Sequence, residues 1–385
     1  MKIGIDARSL EGKRTGVGRY LINLLDEWQK TKNKNIKFVL YFKEEIPKDL
    51  KFKKSDSFKL KLLKKPIEVS SNVLFIHFSL PKEAKKDKVD ILFCPEYIAP
   101  LFCKIPTALT LHDIIYEVHP EMYNWPSRAD KFLLKTVSRI SAKKAKQIFT
   151  PSEFTKKEVV KHYKVKPDKV KATYLAADNS FKRVYDKKKL DNIKRKYQIE
   201  DKFVLYAGSI FNRRHLDKTI KAFQKIAKDF PNYQFLIVGS NHTSPYVDID
   251  SLVEITNHRL NRQAILRRDY LKDEDLLYLY NAAEALIWLS DYEGFGLPVL
   301  EAMACATPVI ISSKTSLPEV ANEAAIYIED NQNTKEISKA IYIGITNQSL
   351  RSRLVKKGIE RADYFSWEKC AKETLDALKD FKNKV

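Results

Sequence analysis

The stretch "DYEGFGLPVLEAMACATPVI", residues 291–310, carries three carboxylates, two glycines and two prolines among aliphatic residues. Glu293 and Glu301 stand eight positions apart, with Gly294 and Gly296 between them. Glycine lets a ligand approach the backbone, and the free N–H groups at the start of a helix bind anions. The spacing therefore predicts a site for an elongated anionic ligand with one glutamate toward each end. A β-turn with a glutamate cap is the alternative.

The flanking residues indicate which elements position this stretch. "EALIWLS" (284–290) has the composition of a buried strand, "DYEGFGLP" that of a turn, and "PVLEAMAC" that of a helix with Pro298 in its first turn. Ligands of open parallel sheets bind at the carboxyl ends of the strands, so we expect the turn to face the ligand. Glu301 would then lie about one turn inside the helix.

Two series of short apolar strands alternate with helical segments along the chain. The first runs from "KIGID" (2–6) to "KQIFTPS" (146–152), and the second from "KFVLYAGS" (202–209) to "AAIYIED" (324–330). Continuous apolar strands separated by helices predict parallel sheets covered on both faces. We expect an α/β chain of two doubly wound, Rossmann-like domains facing each other across a cleft. The predicted domains are residues 1–180 and 181–365, with the charged segment 174–189 as linker and a final helix over about 366–385 that could pack back on the first domain.

The composition is that of a globular protein, with 44% hydrophobic and 31% charged residues among 385. No stretch approaches about 18 uninterrupted apolar residues, and "MKIGIDARSL" lacks a secretory apolar region, so we expect a cytoplasmic protein. Cys94, Cys103, Cys305 and Cys370 show neither CxxC spacing nor nearby histidine pairs. Buried reduced thiols are therefore expected, rather than a metal site or disulfides.

The charge is strongly positive, with 70 Lys and Arg against 49 Asp and Glu, for a net charge of +21. From Lys131 to Lys171 the chain carries thirteen Lys or Arg against three acidic residues. Leu133, Val137 and Ile140 recur there at helical spacing while the basic residues fall largely elsewhere, which predicts a basic amphipathic helix. Such a helix suits an anionic membrane surface, and a solvated lysine-rich face is the alternative. Because no recognition motif for nucleic acid is present, no nucleic-acid partner is expected.

The stretch "SDYEGFGLPVLEAMACATPVIISSKTSLPEV" (290–320) resembles the E-x7-E signature of the retaining GT-B glycosyltransferases of family 4, which carry a glycosyltransferase group 1 domain. Four further motifs extend the resemblance over nearly the whole chain: "TGVGRY" (15–20), "LTLHDIIYEVHPEMY" (109–123), "TPSEFTKKEVVKHY" (150–163) and "YAGSIFNRRHLDKTIKAF" (206–223). The resemblance implies a GT-B fold and the transfer of a hexose, such as mannose, from a nucleotide sugar. The implied acceptor is a glycan or a lipid-linked sugar in cell-surface polysaccharide synthesis, with the enzyme cytoplasmic or peripheral on the membrane.

The resemblance also implies roles for individual residues. Glu293 would lie beside the donor sugar and His112 would contact the transferred sugar, as the two catalytic residues. Arg214, with Arg213 behind it, would neutralise the diphosphate, and Glu301 would bind the ribose hydroxyls. The other implied donor-binding positions are Gly208, Gly294, Phe295, Gly296 and Leu297 in the second domain, and Gly16 and Gly18 in the first.

Two positions depart from the family pattern. His215 replaces the asparagine or glycine common after the basic pair, and Ser209 stands where some members carry an arginine. Both departures bear on how the diphosphate would be held.

Metal-free chemistry is expected for the departing diphosphate. Its charge can be stabilised by a divalent ion or by fixed cations and backbone dipoles, and this sequence offers the second. We therefore expect neither a metal nor a cofactor, the nucleotide sugar being a substrate. The D-x-D at Asp248–Asp250 has the spacing of a metal-using transferase, but no buried strand leads into it.

Several alternatives stay open at this level. A nucleotide-sugar epimerase would have the same architecture, and a non-catalytic basic protein that binds membranes or nucleic acid could have kept the fold. The sequence also leaves open the donor nucleotide (GDP, UDP or dTDP) and the acceptor. It leaves open whether Glu293 is a nucleophile or whether the acceptor attacks on the face from which the diphosphate departs.

Overall fold

The computed structural model describes residues 1–14, 16–31, 35–50, 52, 56–63, 72–200 and 202–380. The chain forms two compact units, one of residues up to Leu175 together with those from Ser366 onward, and one of Ala176–Phe365. Thr15 of the predicted glycine turn and positions 381–385 of the predicted final helix lie outside the described residues.

The first unit is built on a parallel sheet whose described strands follow the order β3-β2-β1-β4-β5-β6-β7. The strands are β1 (Lys2–Asp6), β2 (Lys37–Phe42), β3 (Phe58–Leu62), β4 (Ile91–Cys94), β5 (Thr107–Thr110), β6 (Gln147–Thr150) and β7 (Val170–Ala172). The helices of this part of the chain are α1 (Gly16–Lys30), α2 (Asn72–Leu74), α3 (Leu80–Lys86), α4 (Ile115–Val118), α5 (Arg128–Lys144) and α6 (Glu153–Tyr163).

The second unit repeats this plan with a sheet whose described strands follow the order β10-β9-β8-β11-β12-β13, also parallel. These strands are β8 (Lys202–Ala207), β9 (Tyr233–Val238), β10 (Ile265–Arg268), β11 (Ala285–Trp288), β12 (Val309–Ser312) and β13 (Ala325–Ile328). Its helices are α7 (Lys187–Lys196), α8 (Leu216–Ile226), α9 (Ile249–Leu260), α10 (Asp273–Ala282), α11 (Leu297–Ala304), α12 (Leu317–Ala321), α13 (Thr334–Thr346) and α14 (Gln348–Asp363). The prediction of two doubly wound α/β domains is confirmed.

The order of strands reverses once in each sheet. In the first sheet β1 lies between β2 and β4, and in the second β8 lies between β9 and β11. At such a point the loops after two neighbouring strands run in opposite directions, and a crevice opens between them at the carboxyl edge of the sheet. Open α/β sheets bind ligands in this crevice. In the second unit this crevice lies between the loops that follow β8 and β11.

The last helix, α15 (Trp367–Lys379), packs on the first unit. The indole Nε1 of Trp28 in α1 donates a hydrogen bond to the carbonyl oxygen of Ala371 at 2.8 Å. The same indole stacks on Phe38 of β2, with ring centroids 5.2 Å apart. The chain thus returns from the second unit to complete the helical layer of the first.

Three strands were not anticipated from the sequence. In β3 lysines alternate with apolar residues, β7 has a lysine at its centre, and β10 ends in two arginines, so none shows the continuous apolar run of a buried strand. Among the described strands all three stand last in the order of their sheets, and at such edges polar side chains can reach solvent.

The orientation predicted for α5 was partly wrong. Val137 is buried as expected, together with the small residues Ser138, Ser141 and Ala142, whereas Leu133 and Ile140 are exposed. The buried side of α5 is therefore lined mainly by small side chains, while Leu133 and Ile140 lie in solvent.

Two further observations concern membrane spans and thiols. None of the helices in the described part of the chain is long and apolar enough to cross a bilayer. The thiols of Cys94, Cys305 and Cys370 are free and buried, while Cys103 is free and half-buried.

The glycines at the start of α1 differ in their packing. A β-carbon at Gly18 would lie 2.3 Å from the carbonyl oxygen of Ser9, whereas one at Gly16 would meet nothing within 4 Å. We therefore predict that Gly18→Ala lowers the free energy of unfolding by about 1–3 kcal/mol, because main chain must move to accommodate the methyl group. Gly16→Ala should leave stability unchanged or raise it slightly, since alanine favours helix. Thermal unfolding of both variants checks this prediction, and an equal loss at both positions would contradict it.

Candidate active site

Arg214 and Glu293 meet at the point where strand order reverses in the second unit. Arg214 lies in the loop after β8 and Glu293 in the loop after β11. The Nε and Nη2 atoms of Arg214 both lie 2.9 Å from Oε1 of Glu293. The two side chains are only 11% and 13% exposed. The loops are therefore joined by a largely buried ion pair.

The surroundings of Arg214 fix its guanidinium. Nη1 donates to the carbonyl oxygen of Ser209 at 2.6 Å, and the guanidinium carbon lies 4.2 Å from the ring centroid of Trp288 in β11. Burial acts to lower the pKa of Arg214, but Glu293, through its charge and its hydrogen bond, together with Tyr206 holds the pKa above the ordinary value. The arginine is thus charged, desolvated and pre-oriented, as phosphate recognition requires.

Gly208 is needed where the chain leaves β8. Its φ is +146°, and a β-carbon there would lie 2.6 Å from the Trp288 ring. A side chain at this position would displace the indole on which Arg214 stacks. The glycine therefore serves the packing that holds the arginine in place.

Arg213 also links the loop after β8 to the loop after β11. Its guanidinium lies 4.2 Å from the ring centroid of Phe211, and its Nε donates to the carbonyl oxygen of Tyr292 at 3.4 Å. The backbone N–H of Asp291 donates to the carbonyl oxygen of Arg213 at 2.9 Å. Arg213 and Arg214 are therefore both hydrogen-bonded to the loop after β11, which carries Glu293.

His215 and Asp291, which sequence reasoning did not assign to the site, extend this network. The Nε2 of His215 lies 2.5 Å from Oδ2 of Asp291, and its Nδ1 lies 3.0 Å from Nε2 of Gln332. Oδ1 of Asp291 accepts from Lys314 at 2.7 Å and from Asn331 at 3.0 Å. These hydrogen bonds, with that from His215, hold the pKa of Asp291 far below its usual range, although burial acts to raise it. The only sequence signal was the departure of His215 from the family pattern.

The turn Gly294–Leu297 is held by the segment before α12. The hydroxyl of Ser316 donates to the carbonyl oxygens of Glu293 and Phe295, each at 2.9 Å. Gly296 has a φ of +110°, and a β-carbon there would lie 2.6 Å from Leu317. The backbone conformation and this contact explain the glycine without a ligand.

Leu297 and Glu301 belong to α11. Leu297 is the first residue of the helix and Glu301 lies about one turn inside it, as predicted from the sequence. Glu301 is buried, and its Oε2 accepts a hydrogen bond from the hydroxyl of Tyr280 at 3.3 Å. A buried carboxylate of this kind can accept bonds from ligand hydroxyls.

His112, which the sequence also predicted as a site residue, follows β5 in the first unit. Its Nε2 donates to the carbonyl oxygen of Pro95 at 3.1 Å, and its ring meets Tyr20 edge-on at 4.9 Å. Burial lowers the pKa of His112 to about 4, although the bond to Pro95 acts to raise it. The imidazole is therefore neutral near pH 7, with Nδ1 as its acceptor. Gly16 starts α1 in open space, and Gly18 is packed against Ser9.

A second charged cluster at the carboxyl edge of the first sheet was also missed from the sequence. Arg8, just after β1, lies 2.7 Å from Asp6 and 3.3 Å from Glu96, which follows β4. Burial and the neighbouring Asp6 raise the pKa of Glu96. This cluster lies where the strand order of the first sheet reverses.

The D-x-D sequence has a structural role. Asp248 is the N-cap of α9, accepting from the backbone N–H of Ser251 at 2.9 Å and from its hydroxyl at 2.8 Å. Asp250 lies 3.6 Å from Arg267. Among the described residues, no three His, Cys, Asp or Glu side chains are grouped so as to hold a metal ion.

Two family models match successive parts of the chain. Residues 14–180 match the model of glycosyltransferase family 4, and residues 189–361 match that of the glycosyl transferases group 1. The two models follow the two structural units.

Curated relatives and solved structures agree with this match. O-antigen chain mannosyltransferase B of Escherichia coli is 31% identical over 70% of this chain and 69% of its own length. The serotype-specific mannosyltransferase WbdA of the same organism is 26% identical over 71% of this chain but only 33% of its own length. The structure of Anabaena Alr3699/HepE with UDP and glucose superposes with a TM-score of 0.73 at 15% identity, covering 98% of this chain and 99% of that one.

The relative at 31% identity, the two family models and the pair of doubly wound sheets point to one family. The chain is a GT-B glycosyltransferase, a member of the family that joins a family 4 domain to a glycosyl transferases group 1 domain.

Proposed function

We propose that this chain transfers mannose from a nucleoside-diphosphate sugar to a lipid-linked or polysaccharide acceptor, with retention at the anomeric carbon and without a metal ion. It would act in the cytoplasm during synthesis of a cell-surface glycan. The single observation that carries the proposal is the buried pair of Arg214 and Glu293 where the strand order of the second sheet reverses.

The chemistry of that pair fits a diphosphate leaving group. Departure of a nucleoside diphosphate places negative charge on its oxygens, and a fixed guanidinium in a desolvated setting stabilises that charge. Arg214 is fixed by Ser209 and by stacking on Trp288, so little reorganisation is needed when the donor binds. The loop that carries Glu293 runs into the start of α11 at Leu297, where the helix dipole favours a bound anion.

The carboxylates divide between the two ends of the donor in this proposal. Glu293 lies beside the guanidinium, close to the bond that breaks, whereas the buried Glu301 accepts hydrogen bonds from the ribose hydroxyls. His112, neutral near pH 7, would accept a hydrogen bond from a hydroxyl of the transferred sugar through Nδ1. A neutral imidazole suits this task better than proton donation.

The sugar and the nucleotide are inferred from the relatives. The curated relatives described above are mannosyltransferases, one of them of O-antigen chains, and the solved structure holds UDP. Mannose is therefore the proposed sugar, with GDP, UDP and dTDP all candidates for the nucleotide. Screening nucleotide sugars for protection against thermal unfolding identifies the donor, because a ligand that binds only the folded state raises its stability.

We predict that substitutions of the two glutamates separate in kinetics. Glu293→Gln should lower kcat by about 100-fold with little change in the donor KM, because the lost charge acts near the breaking bond. Glu301→Ala should mainly raise the donor KM, by about tenfold or more, since it removes bonds made equally in the ground and transition states. Steady-state kinetics with a varied donor concentration measures both.

Tyr280→Phe is the matched control for Glu301, because it removes the hydroxyl that donates to Glu301 and keeps the carboxylate. It should change the donor KM far less than Glu301→Ala does. If Glu293→Gln and Glu301→Ala both raised the donor KM by the same factor and left kcat unchanged, the assignment would be contradicted. Release of a free epimerised sugar without acceptor would favour the epimerase alternative.

The proposal also predicts that activity survives chelation. Because Arg214 and backbone amides take the place of a divalent ion, EDTA should leave kcat/KM within about twofold of the untreated value. Asp248→Asn should behave like the parent, because asparagine keeps the N-cap of α9 while removing the charge. Loss of activity in EDTA, with rescue by Mn²⁺ in the parent but not in Asp248→Asn, would instead assign a metal to the D-x-D.

A further inference from the structure

The outer face of α5 carries large apolar side chains in solvent. Phe132 is 73% exposed and Leu133 is 49% exposed, and Ile140 is also exposed. Lys143 and Lys144 of the same helix are exposed as well. Separations of three, four, seven and eleven positions, which are helical spacings, recur among these five residues. A helix with this spacing places them on one face, opposite to the buried Ser138 and Ala142.

A second segment adds to this face. Phe102, in the loop between β4 and β5, is 76% exposed. Its ring centroid lies 5.9 Å from the ammonium of Lys144, which also donates to the carbonyl oxygen of Leu101 at 2.8 Å. Two segments distant in sequence thus present aromatic and aliphatic side chains beside lysines.

The amino-terminal end of α5 carries an aromatic pair of the kind found at membrane interfaces. The rings of Tyr123 and Trp125 lie 4.6 Å apart, and the ammonium of Lys131 lies 5.8 Å from the Trp125 ring. Tyrosine and tryptophan favour the level of the lipid headgroups, because one side of each is apolar and the other polar.

A lysine groove of about 850 Å³ adjoins the carboxyl-terminal end of α5. It is lined by eight lysines and four carboxylates, and it includes Lys143, Lys144, Lys146 and Lys169. Lys169 donates to the carbonyl oxygen of Lys143 at 2.6 Å. Burial, and after it the charge of Lys146, lowers the pKa of Lys169. Like charges held together in this way favour a bound anion.

Part of the positive charge of α5 is already neutralised. Glu117 lies 2.5 Å from Arg139 and 3.7 Å from Lys135. Lys143 and Lys144 at the end of α5, and Lys146 just after it, lie outside this ion-paired group and line the lysine groove. They adjoin the exposed apolar side chains through the contact of Lys144 with Phe102.

We propose that this face docks on an anionic lipid bilayer, with Phe102, Phe132 and Leu133 entering the boundary between headgroups and acyl chains and the lysine groove holding lipid phosphates. The commitment to a bilayer rests on the combination of exposed aromatic side chains with lysines. A soluble polyanion would match the lysines but would leave Phe102 and Phe132 in water, whereas an interfacial helix uses both.

Binding to vesicles tests the proposal. The full chain should partition onto vesicles of equal parts phosphatidylcholine and phosphatidylglycerol at low salt, and bind far less to phosphatidylcholine alone. Phe132→Ser with Leu133→Ser should weaken this partitioning about tenfold or more. Lys143→Glu with Lys144→Glu should also weaken it more than tenfold, because each basic residue near such a surface contributes about fivefold.

Matched controls come from the second unit. Lys187→Glu with Lys188→Glu makes the same change in net charge on exposed residues of α7, and Tyr185→Ser with Ile255→Ser removes exposed apolar side chains there. Both controls should bind vesicles as the parent does. Because all the substituted side chains are exposed, circular dichroism should show unchanged folding, and protection by the donor should persist in every variant. Donor protection also keeps this test separate from the proposed catalytic function.

Trp125 gives an internal readout of orientation. Trp28, Trp288 and Trp367 are buried, whereas Trp125 is half-buried beside Lys131. Bound to vesicles with brominated acyl chains, the parent should lose tryptophan fluorescence, and Trp125→Phe should abolish this quenching without abolishing binding. The proposal is overturned if the parent ignores acidic vesicles, if the controls lose binding as the α5 variants do, or if binding is insensitive to Phe132→Ser with Leu133→Ser. The last result would assign the lysines to a soluble polyanion.

Discussion

A charged guanidinium held largely out of water is the feature on which the candidate site of the second unit depends. Arg214 would be costly to bury alone, and Glu293 supplies the compensating charge within hydrogen-bond distance. The pair also joins the two loops that leave β8 and β11 in opposite directions. Removal of either side chain would therefore disturb both the charge and the spacing of the loops, whereas glutamine in either place keeps a hydrogen bond between them. The proposed diphosphate site follows from this arrangement.

The residues around the pair restrict it to one geometry. Gly208 makes room for Trp288, Trp288 stacks under Arg214, and Ser209 accepts a hydrogen bond from it. On the other side, His215 and Asp291 bind each other and reach the loops after β12 and β13 through Lys314, Asn331 and Gln332. Four loops at one edge of the sheet are thus linked by hydrogen bonds between charged and polar side chains.

The sequence predicted those parts of the molecule that depend on local pattern. Continuous apolar runs marked the central strands, and the glycines and Pro298 marked the turn and the start of α11. Pairing of edge strands such as β7 depends on neighbours distant in sequence, and so does the exposure of Leu133 on α5. The bond between His215 and Asp291 was likewise invisible, because 75 residues separate the two and only the fold brings them together. For Gly18 and Gly296, which the sequence assigns to ligand approach, the fold adds a packing requirement against Ser9 and Leu317 that no local pattern shows.

Calorimetric titration of the nucleoside diphosphate and of the matching nucleoside into the parent and Arg214→Gln tests the central claim most directly. Glutamine keeps a donor for Glu293 and removes the charge. If Arg214 holds the diphosphate, the substitution should weaken binding of the diphosphate by about 10- to 100-fold, as expected for the loss of charge-assisted hydrogen bonds, and leave nucleoside affinity unchanged. Equal weakening of both ligands, or unchanged affinity for the diphosphate, would contradict the account.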